Sequence, residues 1–181
     1  PSGSLFLHCD HRVEAHLRLV LDELFGPDHV ANVISWCYTA PGNVTKWFPR
    51  RHDTILWCTR SLPTEGRHTF NADAVRVPTT QHAQGRRGWD GTWDPEAQSS
   101  KGKIPEDWWA DITPVGRLRN ELVGYPTQKP EQLLRRIIAA ASNPGDQSSQ
   151  RRSMNARSST ATAISASGVW NSQMYQDRWS W

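Results

Sequence analysis

A chain of 181 residues has room for one domain with a real core and little more. Its 21 Lys+Arg against 18 Asp+Glu leave a net charge of only +3, so any nucleic-acid contact must come from local clusters of cations rather than from bulk charge. The cysteines, Cys9, Cys37 and Cys58, form no CxxC pair and indicate neither a disulfide framework nor a zinc site, and no apolar run approaches the roughly 18 residues of a membrane span.

The N-terminus carries no signal-peptide pattern, and the expected setting is reducing and cytoplasmic. Pro1-Ser2-Gly3 is a turn, and Ser4-Leu5-Phe6-Leu7-His8-Cys9 is a nearly unbroken apolar run. Such a run suits a strand buried on both faces, as in a parallel sheet. Asp10 stands where a helix N-cap belongs, with Glu14 in or near the first turn. Val13, Leu17, Val20, Leu21 and Leu24 then repeat at helical steps, and Gly26-Pro27 stops the helix. Residues 31–38 and 53–59 read as two further strands, β-branched and aromatic and bounded by turn residues. The loop between them carries Lys46, Trp47, Phe48, Arg50 and Arg51.

Periodicity is lost from about 61 to 122, where Gly, Pro, Thr, Gln and Arg dominate. A stretch of that length points to binding loops or disorder. Order returns at Gly124-Tyr125-Pro126-Thr127-Gln128-Lys129-Pro130. Thr127 is the expected cap of a helix over 129–142, Pro130 fits its first turn, and Leu133, Leu134, Ile137 and Ile138 form its apolar stripe. Asn143-Pro144-Gly145-Asp146 closes it. Residues 147–181, rich in Ser, Arg, Thr, Ala and Gln and without period, are expected to be disordered.

Taken together, the strand run ending His8-Cys9-Asp10, the strand ends Ile34-Ser35-Trp36 and Ile55-Leu56-Trp57, the Asp107-Trp108-Trp109-Ala110-Asp111-Ile112 element and above all the Tyr125–Pro130 stretch resemble the permuted (beta-class) DNA adenine-N6/cytosine-N4 methyltransferases. The resemblance covers residues 1–146. It implies transfer of a methyl group from S-adenosylmethionine to an exocyclic base amine, with the target base flipped out of double-stranded DNA. Two family motifs have no counterpart here: a DPPY-like tetrapeptide, expected before Pro1, and a Gly-rich cofactor loop, expected directly after Asp146. The chain is therefore expected to be a fragment, inactive alone, with no catalytic residue of its own to name. The rival expectation is a non-catalytic DNA- or protein-binding remnant of such an enzyme.

The implied fold class is α/β: a partial Rossmann-like sheet with one parallel strand and an antiparallel edge pair, two helices, a long irregular DNA-recognition segment and the disordered tail. The expected divisions are a half-sheet over 1–60, a target-recognition-like segment over 61–122, a cofactor-side helix with its motif over 123–146, and the tail over 147–181. The resemblance places His8 and Asp10 beside the target-base pocket. Metal binding by His8, Cys9, Asp10 and His11 fails because neighbours on a strand point to opposite faces. A Cys9 nucleophile fails because methyl transfer to an amine needs no covalent step. Lys46, Trp47, Arg50 and Arg51 form a basic-aromatic cluster suited to phosphate contact and stacking. Arg86, Arg87, Lys101 and Lys103 are candidates for further phosphate contacts. Thr127, Gln128 and Lys129, at a helix start, are placed to meet the carboxylate of S-adenosylmethionine. Trp108 and Trp109 read as core anchors. The strand over 4–9 is expected to leave an open apolar edge, and the helix over 129–142 a partly bare stripe, both favouring self-association; no membrane is implied.

Overall fold

Side chains alternate across a strand, so a run that is apolar at every position can be buried only if something covers both of its faces. The computed structural model describes residues 3–42, 44–78, 86–87, 93–94, 102–123, 128–154 and 160–166, without the side chains of 86–87, 93–94, 119, 150–154 and 160–166. It is a mixed α/β structure. Three apolar strands, β1 (Ser4–Cys9), β2 (Val30–Cys37) and β3 (His52–Thr59), form its centre. β3 lies between the other two and pairs antiparallel with both, Leu56 standing opposite Leu7 on one side and Val33 on the other. The helices α1 (Glu14–Phe25) and α2 (Glu131–Ala141) supply the covers.

One face of the sheet carries Phe6, Ile34, Trp36, Ile55 and Trp57, packed with Trp109, Ile112 and the α2 residues Leu133, Ile137 and Ala141. The other carries Leu5, Leu7, Leu56 and Cys58 against Leu17, Leu21 and Phe25 of α1. Phe6 and Trp57 stack at 5.2 Å between ring centroids, and the Trp57 indole N–H donates to the Ser4 hydroxyl at 3.2 Å. The buried indole N–H of Trp36 likewise finds the Ile112 carbonyl at 3.0 Å, as a buried polar atom must.

Among the described residues the sheet has six strands in the order β6-β2-β3-β1-β8-β7, where β6 is Trp108–Trp109, β7 Ser148–Met154 and β8 Thr160–Ala166. A separate pair, β4 (Arg86–Arg87) and β5 (Trp93–Asp94), is antiparallel. Two expectations are corrected here. β1 is antiparallel to both neighbours, and among the described residues the parallel pairing is β2 with β6, Ser35 opposite Trp108. Burial of β1 on both faces comes from the two helices, which periodicity cannot distinguish from a parallel-sheet setting.

The second correction concerns the tail. Its segments β7 and β8 are paired in a hairpin, Met154 opposite Thr160, and β8 runs along β1 with Ser4 opposite Ala166. The edge of β1 is thus occupied, and the surface proposed for self-association is not available there. The physical reason is that a strand edge is satisfied by backbone groups, which side-chain composition does not report. Residues 155–159 and 167–181 of the tail lie outside the described residues.

Helix starts also differ from expectation. α1 begins at Glu14 with Val13 in the cap position, while Asp10 instead accepts the backbone N–H of Arg12 at 2.9 Å and pairs with its guanidinium. Glu14 anchors the first turn by accepting the Thr54 hydroxyl at 2.8 Å. Of the expected α1 stripe only Leu21 is fully buried; Val20 and Leu24 remain exposed. α2 starts after Pro130, which occupies the cap position expected for Thr127, a residue outside the described ones. The first-turn N–H of Glu131 is taken by the Glu121 carboxylate at 3.0 Å. At the far end, the Asn71 side chain donates to the carbonyls of Ala139 and Ser142 at 3.1 and 2.8 Å, satisfying groups a helix end leaves free.

The α2 stripe is not bare: Leu133 and Ile137 are each 1% exposed, Leu134 is half-buried, and Ile138 faces out. Burying the first two contributes about 1.5–3 kcal/mol each. Arg136 locks the helix to the β6 segment, donating to Asp111 at 2.9 Å with its guanidinium 5.1 Å from the Trp109 ring centroid. Trp109 is the core anchor expected, whereas Trp108 is exposed.

Gly102 supplies a test of this packing. It has φ +79°, and a Cβ there would lie 2.4 Å from the Val77 carbonyl oxygen, in the bridge Val77 makes with Lys103. Gly102→Ala is expected to cost about 2 kcal/mol or more. Gly66→Ala, at φ +62° with open space around it, is expected to cost about 1 kcal/mol. Thermal melting of the two variants checks the order; equal losses would show that the contact at Val77 contributes nothing.

Candidate functional site

The pleat that builds the α2-facing core also builds the site at its end. Positions 6 and 8 of β1, 57, 55 and 53 of β3, and 34 and 36 of β2 followed by 38 share that face. Moving along it, the residues change from Phe6, Trp57, Ile55 and Ile34 to His8, Asp53 and Tyr38. The core therefore ends in a polar cluster at the same edge of three strands. Lys129, just before α2, reaches the cluster from the helix layer.

Asp53 is the centre of this cluster. Its Oδ2 accepts from His8 Nε2 at 3.0 Å and lies 3.6 Å from Lys129 Nζ, while its Oδ1 accepts the Tyr38 hydroxyl at 3.2 Å. Lys129 Nζ also sits 5.7 Å from the centroid of the Trp36 ring, so the ammonium is held between a carboxylate and an aromatic face. Above them a cavity of about 310 Å³ opens to solvent. The strand ends contribute His8, Tyr38, His52 and Asp53 to its wall, the turn after β1 contributes Asp10, His11 and Arg12, the loop before β3 contributes Arg50, and Lys129 completes it.

The charge states follow from burial and partners. Burial lowers the His8 pKa, outweighing the attraction of Asp53, so His8 is a neutral imidazole whose Nε2–H donates to the carboxylate. Burial pushes the Asp53 carboxyl up, but the hydrogen bonds of His8 and Tyr38 and the charge of Lys129 outweigh it and hold its pKa below the ordinary value. Burial lowers Lys129, opposed by Asp53. Tyr38 is pushed up to about 12, by burial first and then by the Asp53 charge, so its phenol remains a donor at neutral pH. Cys9 is pushed up to about 12 by burial and nearby carboxylates, which leaves an inert thiol.

His8, Tyr38 and Lys129 thus converge on one buried carboxylate beneath a solvent-open cavity whose rim carries Arg12 and Arg50. The N6/N4 methyltransferase family model, described as DNA methylase, matches residues 1–147. The chain belongs to this family. It is 36% identical over 114 residues to the DNA adenine methyltransferase YhdJ of Escherichia coli (strain K12), covering 62% of this chain and 37% of that protein. It is 27% identical over 146 residues to the type II methyltransferase M.HpaI of Haemophilus parainfluenzae and 31% over 157 residues to M.BglII of Bacillus subtilis, each comparison covering 81% of this chain and 41% of the relative. The chain thus spans about two-fifths of the length of these curated relatives.

The candidates His8 and Asp10 share one cavity with Arg50 and Lys129. Lys46 and Trp47 lie exposed on the loop that joins β2 to β3, and Arg51 is half-buried at its stem, donating to the Arg50 carbonyl at 3.4 Å. Gln128 does not face the cavity wall; its side chain bridges the Glu121 carbonyl and the Val123 N–H. Lys103 bonds the Val77 backbone and pairs with Glu106. Arg86 and Arg87 are described only as the backbone of β4, and Thr127 and Lys101 lie outside the described residues. Sequence reasoning missed Asp53 and Tyr38. The available signal was a carboxylate opening an otherwise apolar strand, Asp53 before Thr54-Ile55-Leu56-Trp57, which is costly unless donors converge on it. No helix of the described residues is long and apolar enough to cross a membrane.

Asp53→Asn tests the cluster. It leaves Lys129 with no carboxylate at 3.6 Å and exchanges an acceptor for a donor facing His8 or Tyr38, a loss of about 2–3 kcal/mol for a pair that retains some solvent contact. The pH dependence is specific. Both His8 and Asp53 have folded pKa values below their unfolded ones, so the unfolded chain binds more protons on acidification. Stability is expected to be full above about pH 6.5, to fall first as His8 of the unfolded chain protonates, and again below about pH 4 as Asp53 follows. A melting temperature flat from pH 7 to 5 in the wild type would contradict a buried neutral His8.

Proposed function

We propose that this chain forms the DNA-facing part of an S-adenosylmethionine-dependent DNA methyltransferase with a Rossmann-like catalytic sheet, acting on an exocyclic base amine of double-stranded DNA. The observation that carries the reading is the cavity at the sheet end, with the buried His8–Asp53–Lys129–Tyr38 cluster as its floor and the basic-aromatic loop at its rim. Adenine N6 is favoured over cytosine N4, because the relative whose name specifies a base is an adenine methyltransferase.

The residues present suit a flipped base better than they suit the cofactor. Asp10 and Asp53 offer carboxylate oxygens to an amine, and their charge is balanced by Arg12 and Lys129, so a neutral base meets no bare ion. Lys46, Arg50 and Arg51 supply cations for the phosphates flanking it. S-adenosylmethionine would supply the methyl group, but the described residues do not fit it as a cradle. Gln128 is spent on the 121–123 backbone, and Lys129 is drawn toward Asp53 at 3.6 Å on the cavity floor.

Two measurements test the reading. The purified chain should bind mixed-sequence duplex with strong salt dependence, and Arg50→Ala combined with Arg51→Ala should flatten the slope of log affinity against log salt by roughly one to two units. An unchanged slope removes the loop from the interface. Given radiolabelled S-adenosylmethionine and the same duplex, the chain alone should transfer no methyl group; enzyme-dependent incorporation would mean that it carries a complete cofactor site.

A further inference from the structure

The loop over 39–51 combines two properties that rarely occur together without a partner. At its tip Phe48 is 95% exposed and Trp47 62% exposed, adjacent in sequence and followed by Pro49. Large aromatics in water are unfavourable unless something covers them. Around them stand Lys46, Arg50 and Arg51, which argue against an apolar protein surface as that cover and for a polyanion. The stem is fixed: the Tyr38 N–H donates to the Arg51 carbonyl at 2.8 Å, and Arg50 and His52 at its foot line the cavity. Pro49 restricts Phe48 to extended backbone, which lowers the entropy lost when its ring is immobilised.

These positions imply a job that phosphate contact alone does not require. A base that leaves the duplex to enter the cavity vacates its place in the stack, and the gap exposes the neighbouring base faces to water. Trp47 and Phe48 are exposed planar side chains three and two residues before Arg50, which lines the cavity. We propose that Trp47 and Phe48 form a wedge that enters the duplex and stacks in the gap left by the flipped base. The cations beside the wedge hold the two strands at the distance that insertion requires. Apolar wedges between base steps are a general device for bending or opening duplex DNA, and stacking of this kind tolerates any sequence because every base has a π face. The inference rests on the DNA-binding reading above.

The probe is a duplex with a single abasic position, which provides the gap without base flipping, compared with the same duplex intact. Fluorescence anisotropy with the full chain at low salt is expected to show the abasic duplex bound about fivefold tighter or more. Phe48→Ala and Trp47→Ala should abolish that preference without altering the salt slope, and Phe48→Trp should restore it. Phe48 is almost wholly exposed, so its substitution leaves the fold intact. Arg50→Ala with Arg51→Ala should weaken both duplexes and flatten the slope while the preference persists. Equal affinity for the two duplexes, or a preference that survives Phe48→Ala, overturns the wedge and leaves DNA binding standing. No binding to either duplex overturns both.

Discussion

Asp53 carries its charge into a largely buried position at the start of β3, and that is tolerable only because His8, Tyr38 and Lys129 converge on it from three different elements. Each of those contacts constrains a different part of the chain. His8 fixes the end of β1, Tyr38 fixes the end of β2 where the loop over 39–51 departs, and Lys129 fixes the segment entering α2. Strand ends and helix layer are thereby held in one arrangement by a single carboxylate. The cavity above it inherits its shape from that arrangement.

The rest of the core is organised to let this cluster exist. α2 covers the sheet face that ends in the cluster, and its position is set by contacts far apart in sequence: Glu121 at its first turn, Asn71 at its last, and the Arg136 pairing with Asp111 over Trp109. α1 covers the opposite face and contributes less, since part of its apolar stripe remains in solvent. The face under α2 leads to the polar end of the sheet, whereas the face under α1 leads to Glu14 and Thr54, a structural contact.

The family match ends at residue 147, and the hairpin of β7 and β8 begins immediately afterwards. The hairpin lies along β1 and satisfies its backbone groups, so one edge of the family sheet is completed by residues beyond the matched region. The resemblance carried by the Tyr125–Pro130 stretch holds at the level of the family. Its residues described here, Gln128, Lys129 and Pro130, are engaged in shaping the chain: a loop bridge, a charge partner for Asp53 and the cap position of α2.

How much of this was legible in the sequence depends on the range of the interaction concerned. Apolar periodicity and turn residues determined three strands, two helices and their order, because burial of alternating or helically spaced side chains is a local pattern. His8, Asp10 and the basic-aromatic loop could be singled out because their types and neighbours are visible along the chain. Tyr38 could not, and Asp53 offered only a carboxylate at the head of an apolar strand; their partners emerge when antiparallel pairing sets Trp36 opposite Asp53 and the pleat turns residues 8, 38 and 53 to one face. The antiparallel setting of β1, the fate of the tail and the engagement of Gln128 were likewise decided by the tertiary structure. Each depends on backbone groups or on partners tens of residues away, and hydrogen bonds of that kind leave no period in a sequence.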